Sequence, residues 1–359
     1  MRDVLLTGSM PLRPARAVFD LVGTRLRDHI RRIPDGEQSG WLRAATRTFD
    51  EHPSLEPAGP VRLNAWGYSL PTYRVRAGES AKGLRLGPYG YAANAIASYE
   101  QFREARAAGS VAPGTRFQVT MPGPGTSAYL IRLAADLLLP LARKALAREI
   151  EALTVAIPAS ELAVQLDVAM EAEHEEYLRR PEAFPLPVHE VFDWTLEQMA
   201  ASVAWLGNRV PVDAELGLHI CSIWHHYPDS GQDNCVLVDA ANAIVSRLER
   251  PLNYLHIPVI PAHTRADYAV LANLICLPET RLYLGLINLA DGVEGARARI
   301  DMAQQFLPDF GVAFFCGLGF AGASAPSAQP GLPPPASHQR ATAETLPSVL
   351  DLHRAVAEL

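Results

Sequence analysis

Glu215-Leu216-Gly217-Leu218-His219-Ile220-Cys221 carries two signals at once. Its apolar run has the length of a strand, and it leads directly into a histidine and a cysteine at i and i+2. In extended backbone such residues project to the same side, so the His219 imidazole and the Cys221 sulfur can converge at the strand's C-terminal end. Segments of helical periodicity flank the stretch, at 188–206 before it and 236–248 after it. The same alternation runs through the rest of the chain. Strands are expected at 4–7, 116–120, 162–167, 215–219, 253–257, 282–286 and 311–315, with 61–66 as an eighth. Further helices are expected at 14–30, 92–108, 127–156, 265–276 and 293–306. Strand–helix alternation is the sign of a parallel α/β architecture, and eight strands close a (β/α)8 TIM barrel, whose active site lies at the C-terminal strand ends.

Composition agrees with such a barrel. The 359 residues are 48% hydrophobic and 20% charged, with a mean hydropathy of +0.02, enough apolar surface for a large core. A net charge of -7 without a basic tract gives no footprint for nucleic acid or an anionic membrane, so a small molecule is the expected partner. The N-terminal apolar run is too short for a signal peptide, and no stretch of about 20 apolar residues suggests a membrane span. Cys221, Cys235, Cys276 and Cys316 form no closely spaced secretory framework, which points to a reducing, cytoplasmic setting. The barrel is expected over 1–320, with capping loops and hairpins from 34 to 90. A mobile Pro/Ala/Ser-rich loop is expected over 321–340, and a last helix within 341–359 that docks on the barrel wall. Oligomeric state, including a homo-oligomer, stays open.

A lone His-x-Cys pair is a weak sign, but Cys316-Gly317-Leu318-Gly319 places a second thiol at the end of the last expected strand. One imidazole and two thiolates suit zinc, and three protein ligands leave a fourth position for substrate. His256, at the end of the 253–257 strand, and His263, on the following loop, are the candidate fourth ligands. His225, His226 and Cys235 read as part of a solvated lid. Three buried residues without any metal are the competing interpretation. Asp167 ends the 162–167 strand, aimed at the barrel mouth, whereas Glu171 and Glu173 read as a solvated helix face. Pro34-Asp35-Gly36-Glu37 is a turn that offers a further carboxylate. Carboxylates at the mouth can grip an amino or hydroxyl group or move a proton.

Taken in order, these motifs resemble the catalytic barrel of the cobalamin-independent methionine synthase family, within the wider group that includes uroporphyrinogen decarboxylase. The resemblance runs from about Gly8 to Gly319 as short motifs. Gly8-Ser9-Met10-Pro11 is similar to the family's opening turn, whose serine helps hold the amino-acid substrate, and Gly36-Glu37 to the pair whose glutamate meets the substrate amine. Pro122-Gly123-Pro124-Gly125-Thr126 is similar to its Gly-Pro-x-Thr loop. Gln165-Leu166-Asp167 resembles the Gln-x-Asp that reaches the same amine, and His219, Cys221 and Cys316 stand where the family holds zinc.

The resemblance implies a zinc-dependent methyl- or alkyltransferase that activates a thiol such as homocysteine, with a separate alkyl donor. Three departures shape this expectation. Asp167-Val168-Ala169 replaces the family's Asp-Glu-Pro, Asn288 falls where a catalytic histidine is expected, and the zinc-binding glutamate has no counterpart near 254–261, where His256 is the substitute. Asn288 and the missing N-terminal barrel count against a folate donor. A metal-dependent lyase or decarboxylase of the same barrel group, and a non-catalytic ligand-binding relative, are the alternatives.

Overall fold

A computed structural model describes residues 1–63, 68–179, 194–221, 234–259, 264–275, 277–319 and 341–359. Eight parallel strands form the main sheet: β1 (Val4–Leu5), β2 (Arg32–Pro34), β5 (Arg116–Pro122), β6 (Leu162–Val168), β7 (Glu215–Ile220), β8 (Tyr254–Pro258), β9 (Arg281–Ile287) and β10 (Gly311–Phe314). Neighbours run β1-β10-β9-β8-β7-β6-β5-β2, and a parallel bridge between Val4 and Ile30 brings β1 beside the entry to β2. The ring is therefore a nearly closed (β/α)8 barrel. Every residue of β6 is buried, as expected of a strand covered on one face by the barrel interior and on the other by helices.

The helical layer comprises α1 (Ala15–Arg25), α2 (Leu42–Asp50), α3 (Tyr91–Ala107), α4 (Pro124–Ala128), α5 (Ala135–Ala156), α6 (Met170–Arg179), α7 (Leu196–Gly207), α8 (Asn234–Val245), α9 (Arg265–Ala269), α10 (Gly292–Ala303) and α11 (Leu346–Ala357). Thr195 and Gln198 form a reciprocal capping box at the start of α7. At α3, the distant Glu149 carboxylate accepts the amides of Tyr89, Gly90 and Ala92 at 2.6, 3.0 and 2.8 Å. A carboxylate there satisfies orphan donors and complements the helix dipole. The terminal helix α11 packs on α1, α10 and β10.

Several expected boundaries move. The eighth strand is β2, whereas 61–63 belong to an antiparallel hairpin of β3 (Leu55–Leu63) and β4 (Tyr68–Val75) outside the barrel. The expected helix over 14–30 stops at Arg25 so that the chain can enter β2. The expected helix over 127–156 is broken between α4 and α5, where Ile131 bridges to Tyr73. Beyond α9 the expected 265–276 helix tightens to a 3-10 turn at Val270–Asn273. The expected loop over 321–340, His225, His226, His263, Cys276 and the start of the 188–206 helix lie outside the described residues.

β2 escapes a hydrophobic pattern because its Arg32 points into the barrel, 3% exposed. There Nε donates to Glu215 at 2.7 Å, and the guanidinium lies 4.1 Å from the Tyr254 ring centroid. Ion pairing and the aromatic face offset the cost of burying the cation. Leu5, Ala163, Tyr254, Tyr283 and Ala313 complete this layer. The two tyrosines fit because their neighbours lack side chains: a Cβ at Gly217 would lie 2.0 Å from Tyr254 Cζ, and one at Gly311 would lie 2.4 Å from Tyr283 Cδ1.

Candidate metal centre

One layer above that plug, the alternation of β7 aims His219 inward, 1% exposed, and the chain leaves the strand at Cys221. The Cys221 amide donates to the Val168 carbonyl at 2.9 Å, which holds it in line with β6. Cys316 follows the last strand, β10, three strands round the barrel from β7. A ring nitrogen of His219 and the sulfurs of Cys221 and Cys316 all lie within 4.8 Å of one another. The two sulfurs are 3.6 Å apart. Ligands at about 2.3 Å in a tetrahedral zinc sphere would put two sulfurs about 3.8 Å apart, so the donor set fits zinc in chemistry and in spacing. The Cys316 thiol is pulled below its ordinary range by a hydrogen bond from Cys221, against the opposing effect of burial, with help from the Gly317 amide.

His256 stands elsewhere than in this ring. It is paired in register with His219 across β7 and β8, and its Nδ1 lies 2.7 Å from His219 Nδ1. Its Nε2 lies 3.1 Å from the Phe314 carbonyl oxygen. With both nitrogens committed to other partners, His256 is not placed to be the fourth ligand. Burial pushes its pKa down to about 3.

The carboxylates gather beside the thiols. Glu37 occupies a left-handed backbone conformation (φ 57°), a strained one for a residue with a side chain. An Asx turn holds it there: the Glu37 amide donates to Asp35 Oδ1 at 2.8 Å, and Asp35 Oδ2 accepts from Ser98 Oγ at 2.8 Å. Gly8 makes room, since a Cβ there would lie 2.4 Å from Glu37 Oε1. The backbone of Ser9 lies close enough to favour the ionised Glu37 carboxylate, against the larger effect of burial. Asp167, 5% exposed, accepts from Gln165 Nε2 at 2.9 Å, and Gln165 in turn accepts from Gln118 at 3.2 Å. Burial raises the pKa of Glu37 well above the carboxylate range, reinforced by Cys316 and Asp35. Burial does the same to Asp167, reinforced by Glu37. Both carboxyls resist ionisation chiefly because they are buried, Asp167 also because Glu37 lies near, and such a pair suits a cation.

Glu171 is fully buried, against its expected place on a solvated face. Its carboxylate accepts from the Thr126 hydroxyl and from the Thr126 amide, which pins the turn at the start of α4. The side chain of Glu173 lies outside the described residues. Asn288 is buried just beyond β9, where its Oδ1 accepts the Ala290 amide at 2.9 Å, an Asx turn that commits the oxygen locally. Glu171, the second residue of α6 and one of its four glutamates, gave no periodic sign of burial; the glycine-rich turn it pins was the available hint.

Over its whole length the chain is similar in fold to a B12-independent methionine synthase from Shewanella sp. W3-18-1, solved in complex with selenomethionine. The TM-score is 0.59 at 13% identity, and the match covers 99% of this chain and 96% of that one. The likeness is one of fold. No family model and no curated protein sequence matches the chain. Among the described residues no helix is long and apolar enough to cross a membrane.

Proposed function

We propose that the protein is a zinc-dependent methyl- or alkyltransferase with a thiol acceptor. The observation that carries this reading is the convergence of His219, Cys221 and Cys316 within 4.8 Å, beside the Glu37 and Asp167 carboxyls. Zinc held by these three residues would acidify a thiol bound at its fourth position, so that a sulfur nucleophile exists at neutral pH. Glu37 and Asp167 would receive the substrate's amino group, which as a cation relieves the mutual repulsion of the two buried carboxyls. Ser9, whose backbone lies beside the Glu37 carboxylate, would line the same pocket. Together these contacts orient an amino thiol such as homocysteine, with its sulfur toward the thiolates and its amine toward the carboxyls. The protein of similar fold was solved with selenomethionine, the selenium analogue of a sulfur amino acid. Folate is disfavoured by Asn288, and the small-molecule partners are accordingly a thiol and a donor of another kind.

Asn288 also supports a second reading. With its Oδ1 spent on Ala290 and no acid in its place, a lyase or decarboxylase that uses the metal as a Lewis acid needs no proton donor there. Metal analysis of the purified protein with Cys221→Ser and Cys316→Ser tests the centre. One zinc per chain, lost in both variants, is expected; its absence, or its retention in both, sinks the site. Homocysteine added to the zinc protein should release a proton and change the metal–sulfur signal. Silence there favours the lyase.

A further inference from the structure

We infer that His256 is a positioning residue that fixes the metal-facing tautomer of His219 through a buried imidazole–imidazole–carbonyl chain. The inference rests on the metal-binding reading above, and it assigns hydrogen atoms that the donor set alone leaves undetermined.

The direction follows from one end. The Phe314 carbonyl oxygen can only accept, so the His256 Nε2 that lies 3.1 Å from it carries a hydrogen. His256 is fully buried, and among its described hydrogen-bond partners there is no carboxylate to hold a second proton. An unpaired buried imidazolium is costly, so the ring is neutral and its Nδ1 is a lone pair. A nearby zinc ion would disfavour the cation further. At 2.7 Å from that lone pair, His219 Nδ1 must donate. His219 is then the Nδ1–H tautomer, and its Nε2 carries the lone pair that a metal beside Cys221 and Cys316 would take.

In water a neutral histidine side chain favours the opposite tautomer, with the proton on Nε2. Without His256 the ligating nitrogen would therefore be occupied, and metal binding would have to move its proton first. A second imidazole also differs in charge from the carboxylate that often orients a ligating histidine. Two thiolates and one dication sum to zero, and a neutral His256 leaves that sum unchanged. The geometry is secured by the sheet, because His219 and His256 are register partners on neighbouring strands.

Two measurements decide it. In metal-free wild-type protein labelled with 15N, long-range proton–nitrogen correlations of the histidine rings should show His219 protonated at Nδ1; an Nε2–H pattern overturns the inference. Zinc affinity, read by competition with a chromogenic chelator, should fall about 10- to 100-fold in His256→Leu. It should stay within about threefold of wild type in His256→Asn, whose side-chain oxygen replaces the Nδ1 acceptor. Equal affinities in all three proteins, or equal losses in both variants, also overturn it, since packing alone would not distinguish them. If the leucine variant does not fold, the wild-type tautomer and the asparagine variant still decide. Should wild type bind no zinc at all, the metal reading falls alone, and the His219 tautomer in the metal-free protein still tests the role of His256.

Discussion

Gly217→Ala tests the barrel plug and its link to the site together. The new methyl would sit 2.0–2.4 Å from three carbons of the Tyr254 ring, where ordinary contact needs 3.4 Å or more. The ring must therefore retreat by roughly 1.4 Å to restore contact distance. It has little freedom to do so: it is fully buried, the Arg32 guanidinium lies 4.1 Å from its centroid, and Tyr283 packs edge-on at 6.4 Å. Arg32 is itself anchored to Glu215 at 2.7 Å. Overpacking costs typically about 1–3 kcal/mol, and this clash with a pinned ring belongs at the upper end, about 3 kcal/mol. For a chain of this size that lowers Tm by about 4 °C. Chemical denaturation of Gly217→Ala, Tyr254→Leu and the double variant measures it. Because leucine vacates the space the methyl needs, the double variant should be more stable than additivity predicts by about 1 kcal/mol or more. Additive effects, or a Gly217→Ala loss under about 0.5 kcal/mol, would refute the packing account.

Two further predictions concern protons. His353 on α11 is fully buried with Nδ1 donating to the Val349 carbonyl at 2.7 Å, and burial holds its pKa at about 4 rather than 6.5. Between these values the unfolded chain binds a proton that the folded one refuses, so this group's contribution to stability falls as pH drops from 6.5 toward 4, by a total on the order of 3 kcal/mol; urea unfolding at pH 7 and 4.5 should show a flatter dependence in His353→Leu, and an unchanged slope counts against the assignment. Asp167 has the opposite sign: its raised pKa means stability is fully present below the ordinary carboxylate range and is lost as pH rises through the folded value. Asp167→Asn should therefore be more stable than metal-free wild type at pH 8, by about 1 kcal/mol, with the gap closing toward pH 4. A difference independent of pH would remove the charge explanation.

How much of this was legible in the sequence depends on what each residue touches. His219, Cys221 and Cys316 could be found because period-two alternation and strand ends are local properties, and the barrel converts strand ends into one site. β2 was hidden because Arg32-Ile33-Pro34 contains one aliphatic residue, and its cation is satisfied by Glu215, far away in the chain. Nothing near Arg32 announces that partner. Glu171 was misjudged for the same reason, since the donors to its carboxylate lie on the turn after β5. His256 was visible as a strand-end histidine, but its role depends on the 2.7 Å approach of His219 and the carbonyl of Phe314, which pairing alone creates.

The register shows why plug and site belong together. Across β6, β7 and β8 the residues Gln165, Gly217 and Tyr254 form one rung, and Asp167, His219 and His256 the next. Because the period is two, every inward side chain of the upper rung stands on an inward position of the lower one. The missing Cβ at Gly217 lets the Tyr254 ring fill the floor, and Gln165 hands a hydrogen bond up to Asp167. The floor therefore sets both the level at which the imidazoles meet and the carboxylate beside them. Charge then sorts what can bind above it. On the zinc reading, a dication and two thiolates cancel, so Glu37 and Asp167 supply the site's unbalanced charge. A ligand without a cationic group would leave these buried carboxyls to take up protons, as their raised pKa values already indicate. An ammonium group allows both to ionise by offsetting the repulsion between them. Affinity for an amino thiol should thus exceed that for the same thiol without its amine, and the difference should vanish in a Glu37→Gln, Asp167→Asn double variant.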